Sequence, residues 1–179
     1  IAPSSRSSVS WGWKKHAPYK PDLVEEGGNK LISPSRDEIT NTIELSLLTT
    51  SGRATNQLFE VNSDTSAACA LVSKHAAMLM AQYPEYWPET IRGLLVHTAR
   101  WTSRMHERYR TERAQGTPKS AKESLLRMVG YGVPNLNRAM HSAENALTLI
   151  SQSEITPFKR DGSTDPTLNE MHLFSLPWP

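Results

Sequence analysis

Asn62-Ser63-Asp64-Thr65-Ser66-Ala67-Ala68 opens the stretch of this chain that decides its fold, because an apolar run follows it as far as Ala81. Within the run, apolar residues fall on nearly every side of a helix, which is the pattern of a helix buried between other elements. Tyr83-Pro84 ends the run. The sequence therefore predicts a buried central helix with the Ser66 hydroxyl at its N-terminus, where free N–H groups and the helix dipole favour negative charge.

Shorter elements flank this helix on both sides. Before it, the sequence predicts a strand over Lys20–Val24, a turn at Gly27-Gly28 and a strand or helical turn over Ile43–Leu48. After it, the sequence predicts a helix that opens at Pro88, a charged loop with some helix over 102–121, short helices over Leu125–Val129 and Asn135–Ser142, strands over Asn145–Ile150 and Met171–Leu176, and a polar linker over 151–170. This alternation favours an α/β layered domain with a mainly parallel sheet.

The composition narrows the range of partners and settings. The formal net charge of the 179 residues is only +2 and no block of like charge stands out, so neither nucleic acid nor a membrane surface is predicted as a partner. No stretch is long and apolar enough to span a bilayer. The single cysteine, Cys69, excludes an internal disulfide. Its place in an apolar run predicts a buried, reduced thiol and a cytoplasmic setting.

Four blocks of sequence, taken in order, resemble the subtilisin-like serine proteases, or subtilases. Lys20-Pro21-Asp22-Leu23-Val24 is similar to the family's Lys-Pro-Asp-aliphatic stretch, and Asp64-Thr65-Ser66-Ala67-Ala68 is similar to its Gly-Thr-Ser-x-Ala nucleophile motif. The other two blocks are the Pro88–Ala99 helix and the closing Gly130-Tyr131-Gly132-Val133 segment. Each block is weak alone, but four blocks in the family's order make a strong signal.

This resemblance implies the C-terminal half of a protease domain. The expected fold is part of a three-layer subtilisin-like α/β fold with a mostly parallel sheet and a buried central helix, incomplete at the N-terminus. On this basis, residues 1–143 form the half-domain, and residues 144–179 form a strand and linker that lead to a β-rich C-terminal region. The blocks resemble a bacterial, intracellular branch of the family most closely.

The resemblance also implies a mechanism, of which this chain carries one participant. Subtilases use an Asp-His-Ser triad and an oxyanion-binding Asn, and only the serine maps here, onto Ser66. His16 is the one histidine before Ser66, and no Asp or Glu precedes His16, so that order cannot be assembled from these residues. We expect Ser66 to cleave a peptide or protein substrate through an acyl-enzyme, without cofactor or metal. The Asp, His and Asn are then expected on an N-terminal half before Ile1, and this chain alone is expected to be inactive.

Two departures from the family's pattern motivate an alternative. Asp64 replaces the motif's first glycine, and Ala70 replaces the proline that usually follows the motif. Glycine adopts backbone angles that aspartate tolerates poorly, and a carboxylate beside an oxyanion opposes its formation. The alternative is therefore a non-catalytic, protease-like module that binds peptides or partners. A plainer interpretation of Ser66, as a helix N-cap, also stays open.

The remaining reactive residues favour structural roles. Cys69, about one helical turn beyond Ser66, is expected to be a small packed side chain rather than a second nucleophile. His75 follows Ser66 by nine residues, roughly 13 Å along a helix, which is too far for proton transfer. Neither a zinc-site spacing of histidines nor the third glycine of a dinucleotide-binding loop is present. The Arg-rich stretch 100–113 predicts a solvated surface, with partner docking as the lesser alternative.

Overall fold

A computed structural model describes residues 5–11, 17–53, 55–145, 148–160, 162 and 165–175. The chain divides into two compact units, residues 1–148 and residues 149–179. The larger unit contains the motifs described above.

Five α-helices form most of the larger unit: α1 (Thr65–Gln82), α2 (Pro88–Thr98), α3 (Ser103–Gln115), α4 (Pro118–Val129) and α5 (Leu136–Asn145). Two short 3-10 turns, Ser8–Ser10 and Ile43–Leu45, precede them. The predictions of α1 and of a helix opening at Pro88 are confirmed. Both helices show strong apolar patterns, and Pro88 stands at the first position of α2, where its missing N–H costs no hydrogen bond.

The described strands pair only as two-stranded antiparallel sheets. In the larger unit, β1 (Leu31–Ile32) pairs with β2 (Ile39–Thr40), and β3 (Leu47–Thr50) pairs with β4 (Phe59–Asn62). In the smaller unit, β5 (Phe158–Lys159) pairs with β6 (Thr167–Leu168), inside the stretch predicted to be a polar linker. The chain is therefore of mixed α and β content, and no parallel pair occurs among the described residues.

Three strand predictions differ from the structure. Lys20–Val24 is extended but belongs to no ladder, and 148–150 and 171–175 form no strand; residues 146, 147 and 176 lie outside the described residues. An apolar, extended segment forms a strand only where a second segment offers it hydrogen-bonding groups. Lys20–Val24 has such a neighbour, because the Tyr131 N–H donates to the Asp22 carbonyl and the Val24 N–H donates to the Gly132 carbonyl, but these two bonds do not continue into a ladder.

The core of the larger unit is built around α2. Helix α2 packs against α1 and α5, and α3 packs against α4. Most of the buried apolar side chains come from four of the helices, and Tyr83, just past the end of α1, and Ala17 add to them: Leu79; Ile91, Leu94 and Leu95; Ala121, Leu125 and Val129; and Ala139. This core fixes the C-terminal half of α1 while its N-terminal half stays open.

Helix α1 is not the buried helix that its composition predicts. Leu79 is its only buried residue, and Met78 and Met80 are 41% and 49% exposed. The apolar pattern is correct, but α2 and α5 cover α1 from one side. Its other faces are left to solvent in this chain, and so the expectation of a buried central helix is wrong for these residues taken alone.

The segment 102–121 is helical where a charged loop with some helix is predicted. Thr102 and Thr117 cap α3 and α4, because each hydroxyl accepts a backbone N–H of the first turn. On α3, Arg108 and Glu112 form an ion pair four residues apart at 2.5 Å, which favours a helix with little apolar surface. Helix caps and ion pairs therefore stabilise these helices where a regular apolar pattern is weak.

Candidate functional site

Ser66 is the second residue of α1, and its side chain is exposed. The helix begins directly after strand β4, so the chain turns from strand to helix over Ser63 and Asp64. The first N–H groups of a helix lack partners within the helix and carry its partial positive charge. A hydroxyl at this position is open to a ligand and lies where negative charge is stabilised.

Asp64 caps α1 without backbone strain. Its φ of −133° and ψ of 167° are ordinary extended angles, so the predicted conflict with the angles of the motif glycine is wrong. Its Oδ1 accepts the N–H of Thr65 at 2.8 Å, and its own N–H donates to Asn62 Oδ1 at 2.9 Å. Because Asp64 is the N-cap, the interpretation of Ser66 as the cap is also wrong, and a carboxylate lies at the helix end beside Ser66.

Three of the four sequence blocks meet at Asp22. Its Oδ2 accepts from Lys20 Nζ at 2.8 Å and from Arg92 Nη2 of α2 at 2.9 Å, and its carbonyl accepts the N–H of Tyr131. Gly130, at a φ of 58°, approaches so closely that an added Cβ would lie 2.3 Å from the Asp22 carbonyl oxygen. The extended Lys20–Val24 segment is thus fixed to α2 and to the turn after α4.

The carboxyl group of Asp22 has a lowered pKa. Its partial burial raises the pKa, but the hydrogen bonds and positive charges of Lys20 and Arg92 outweigh that effect. Asp22 therefore stays ionised well into the acidic range, and the ion pairs that fix its segment persist at neutral pH.

An open groove of about 1110 Å³ lies beside α1. One wall is the face of α1 that carries Ala68, Val72, Ala76 and Met80, spaced four residues apart. The facing walls come from α2 and from the extended segment 21–29. Thr65 and Cys69 line the groove near the start of α1, and Cys69 is exposed, so the prediction of a buried thiol is wrong for this chain.

The comparisons with known proteins agree with these blocks. The family model of the subtilases matches residues 1–132. The chain belongs to the subtilase family. An uncharacterized protein of Sinorhizobium fredii, y4bN, is 26% identical over 139 residues, which make up 76% of this chain and 30% of that protein. The chain therefore spans less than a third of the length of this curated relative, and no solved structure matches it.

A subtilase triad is not assembled within the described residues. Ser66 hydrogen-bonds to no histidine there, and His16 lies outside the described residues. His75 is half-buried in α1, and its Nδ1 has no hydrogen-bond partner among the described residues. His97 is exposed near the end of α2, and His106 packs edge-on against Trp101. In the larger unit, no hydrogen bond joins Ser66 to a histidine among the described residues.

The described residues form neither a metal site nor a membrane-spanning helix. They contain no group of three His, Cys, Asp or Glu side chains placed to hold a metal ion. In the same ranges, none of the helices combines the length and the hydropathy needed to cross a membrane.

The sequence alone does not predict the contacts of Asp22 or of the Gly27-Gly28 pair. Asp22 was read as part of a strand motif and the Gly27-Gly28 pair as a turn, yet both contact segments distant in the sequence. The sequence gives only part of this information. A pair of glycines indicates unusual backbone angles, but it does not indicate which other segment of backbone the pair contacts.

Proposed function

We propose that this chain is part of a serine endopeptidase in which Ser66 is the nucleophile. The observation that carries the proposal is the exposed Ser66 at the N-terminus of α1, within the nucleophile motif of a chain that belongs to the subtilase family. The catalytic Asp and His and the oxyanion-binding Asn come from an N-terminal half of the domain outside this chain. Its substrates are peptides or unfolded segments of proteins.

The open groove beside α1 supports this arrangement. Four apolar or small side chains on one face of a helix favour close packing of a sheet, and leaving them in water is unfavourable. We infer that strands of the N-terminal half fill the groove and complete a three-layer fold with a mainly parallel sheet. In that fold, α1 becomes the buried central helix that its sequence predicts.

The chemistry assigned to Ser66 is acyl transfer. The histidine takes the proton from the Ser66 hydroxyl as Oγ attacks the carbonyl carbon of the scissile peptide. The tetrahedral oxyanion forms beside the positive end of α1, where N–H groups stabilise it. The amine leaves with the proton held by histidine, and water then hydrolyses the ester on Ser66 by the same steps.

We place the protein in a bacterial, intracellular branch of the family and in the cytoplasm. A single, unpaired cysteine fits a reducing compartment, and Cys69 needs no partner thiol there. The relative in Sinorhizobium fredii shows that similar sequences occur in bacteria.

The test is hydrolysis of an unstructured protein such as casein by the full-length protein and two serine variants. Ser66→Ala removes the nucleophile and should abolish hydrolysis. Ser73→Ala is the matched control, because Ser73 is exposed on the same helix away from its N-terminus. Equal activity of wild type and Ser66→Ala would exclude Ser66 as the nucleophile.

Asp64 favours a second candidate, a non-catalytic module that binds peptides or partners. Its carboxylate already accepts the N–H of Thr65 and carries negative charge beside the place where an oxyanion would form. Asp64→Gly restores the family's residue, and Asp64→Asn keeps a capping oxygen while it removes the charge. A large gain of hydrolysis in both variants would indicate an enzyme weakened by this charge. Inactivity of both variants with retained peptide binding would favour the module.

A further inference from the structure

The Gly27-Gly28 pair lies directly against the backbone that leads into α1, in an extended segment rather than in the turn that the sequence predicts. At Gly28, which has a φ of 74°, an added Cβ would be 2.9 Å from Ser63 Cα and 3.0 Å from the Leu45 carbonyl oxygen. At Gly27, it would be 3.2 Å from the Asp64 carbonyl oxygen. Carbon atoms in contact lie about 3.5–4.0 Å apart, so a side chain at Gly28 has no room unless Ser63 moves.

Ser63 is also held from its other side. The residue is buried, and its hydroxyl donates to Asn41 Oδ1 at 2.9 Å. The glycine pair itself is anchored, because the N–H of the next residue, Asn29, donates to the Leu45 carbonyl at 2.7 Å. The strand-to-helix turn thus lies between two fixed surfaces, one of which is made of glycine backbone.

The place of Ser63 determines the place of the Ser66 hydroxyl. Ser63 is two residues before the first residue of α1, and Ser66 is the second residue of that helix. A helix end moves as a unit with the residues that cap it, so a shift of Ser63 and Asp64 shifts Ser66 in turn. A misplacement of about 1 Å lowers the rate of an enzymatic step on the order of 100-fold.

We propose that the Gly27-Gly28 pair is a positioning element that sets the place of the Ser66 hydroxyl. The proposal rests on the function proposed for Ser66, and it assigns no contact with substrate to the two glycines. Gly28 acts through its contact with Ser63, and Gly27 acts through its contact with the Asp64 carbonyl.

The test compares alanine variants of the full-length protein by their rate of reaction with a serine-directed fluorophosphonate. Gly28→Ala should react on the order of 100-fold more slowly than wild type. Gly27→Ala should show a smaller loss, because its contact is less close. Gly52→Ala is the matched control: a Cβ there meets nothing within 4 Å, and the reaction rate should stay unchanged.

A second control separates position from stability. Thr117→Ala removes the cap of α4 and lowers the melting temperature without touching α1, so its reaction rate should equal that of wild type. A wild-type rate in Gly28→Ala overturns the proposal, and so does an equal loss of rate in Thr117→Ala. If Gly28→Ala does not fold, the reaction rate of Gly27→Ala is compared with those of wild type and Gly52→Ala instead.

Amide hydrogen exchange distinguishes failure of this proposal from failure of the proposed function. If wild type does not react with the fluorophosphonate, the proposed function fails. Faster exchange of the amides of residues 63–67 in Gly28→Ala than in Gly52→Ala would still support positioning by the glycine pair. Unchanged exchange at these amides would overturn it.

Discussion

Asp22 connects three segments that are far apart in the sequence. Its carboxylate binds Lys20 within its own segment and Arg92 on α2, while its backbone binds the turn after α4. Exposed ion pairs contribute little singly, but here one carboxylate that is mostly shielded from solvent takes part in two. Asp22 therefore connects the Lys20–Val24 segment to the core around α2.

Asp22→Asn should lower the free energy of unfolding of the full-length protein by about 0.5–1 kcal/mol at pH 7. The folded state lowers the pKa of Asp22, so the ionised carboxylate stabilises the fold above its unfolded pKa of about 3.9. This contribution is lost as the pH falls through the lower pKa of the folded state. Urea unfolding of both proteins at pH 7 and pH 2.5 measures the difference.

The pH dependence has an internal control. Asp37 also has a lowered pKa, from hydrogen bonds of Ser35 and Ser33, but it is fully exposed in the β1–β2 turn and joins no distant segments. Asp37→Asn should change the unfolding midpoint less than Asp22→Asn does. A loss in Asp22→Asn that is equally large at both pH values would contradict the electrostatic origin.

At the scale of elements, α4 shows how a helix forms without an obvious sequence signal. Thr117 and Ser120 cap each other's backbone N–H groups at 3.1 Å, and Pro118 occupies the first helical position. One apolar face, with Ala121, Leu125 and Val129, then packs into the core. The helix begins at Pro118, seven residues before the helix that the sequence predicts at Leu125.

Thr117→Ala should lower the free energy of unfolding by about 1 kcal/mol, because the N–H of Ser120 loses its partner. Thr117→Ser keeps a hydroxyl in the same place and should restore most of that stability. Thermal unfolding of the full-length protein measures both. Equal melting temperatures for Thr117→Ala and wild type would show that the cap contributes nothing.

The elements differ in how far the sequence predicted them. Helices α1 and α2 were predictable because apolar residues mark them clearly, and the Pro88 start is a local signal. Helix α3 was predicted only as some helix within a loop, since its stability comes from a cap and from pairs such as Arg104–Glu107 rather than from an apolar stripe. The sequence does not predict the strand pairs β3–β4 and β5–β6, because the period of the apolar residues does not indicate which segments pair with each other.

The candidate site also combines a residue that the local sequence predicts with contacts that it does not predict. Ser66 stands out because local sequence places it before an apolar helix, and the structure puts it in the first turn of α1. The contacts of Asp22 with Arg92, and of Gly28 with Ser63, join residues 70 and 35 positions apart. Such contacts arise only when the chain is folded, so a single sequence does not reveal them.

At the scale of the whole molecule, apolar surface on α1 and on the β3–β4 hairpin is left uncovered. Leu48 and Val61 face each other across the hairpin and are 73% and 44% exposed, and Met80 on α1 is half-exposed. Exposed apolar side chains promote association in water where they form a patch. The proposed N-terminal half would cover part of it.

We therefore expect the 179-residue chain on its own to associate and to bind a hydrophobic dye such as ANS. The full-length protein should bind much less dye and should melt cooperatively. Size-exclusion chromatography with light scattering and dye fluorescence measures both properties. A monomeric 179-residue chain that melts cooperatively and binds no dye would contradict the inference that α1 needs further cover.

The central claim is that Ser66 is the attacking hydroxyl of a protease. Mass spectrometry of proteolytic peptides, after the full-length protein reacts with a fluorophosphonate, locates the modified side chain directly. We expect one stoichiometric adduct on Ser66, which is lost in Ser66→Ala and retained in Ser73→Ala. A folded full-length protein that stays unmodified, or that carries the adduct on a different serine, would contradict it.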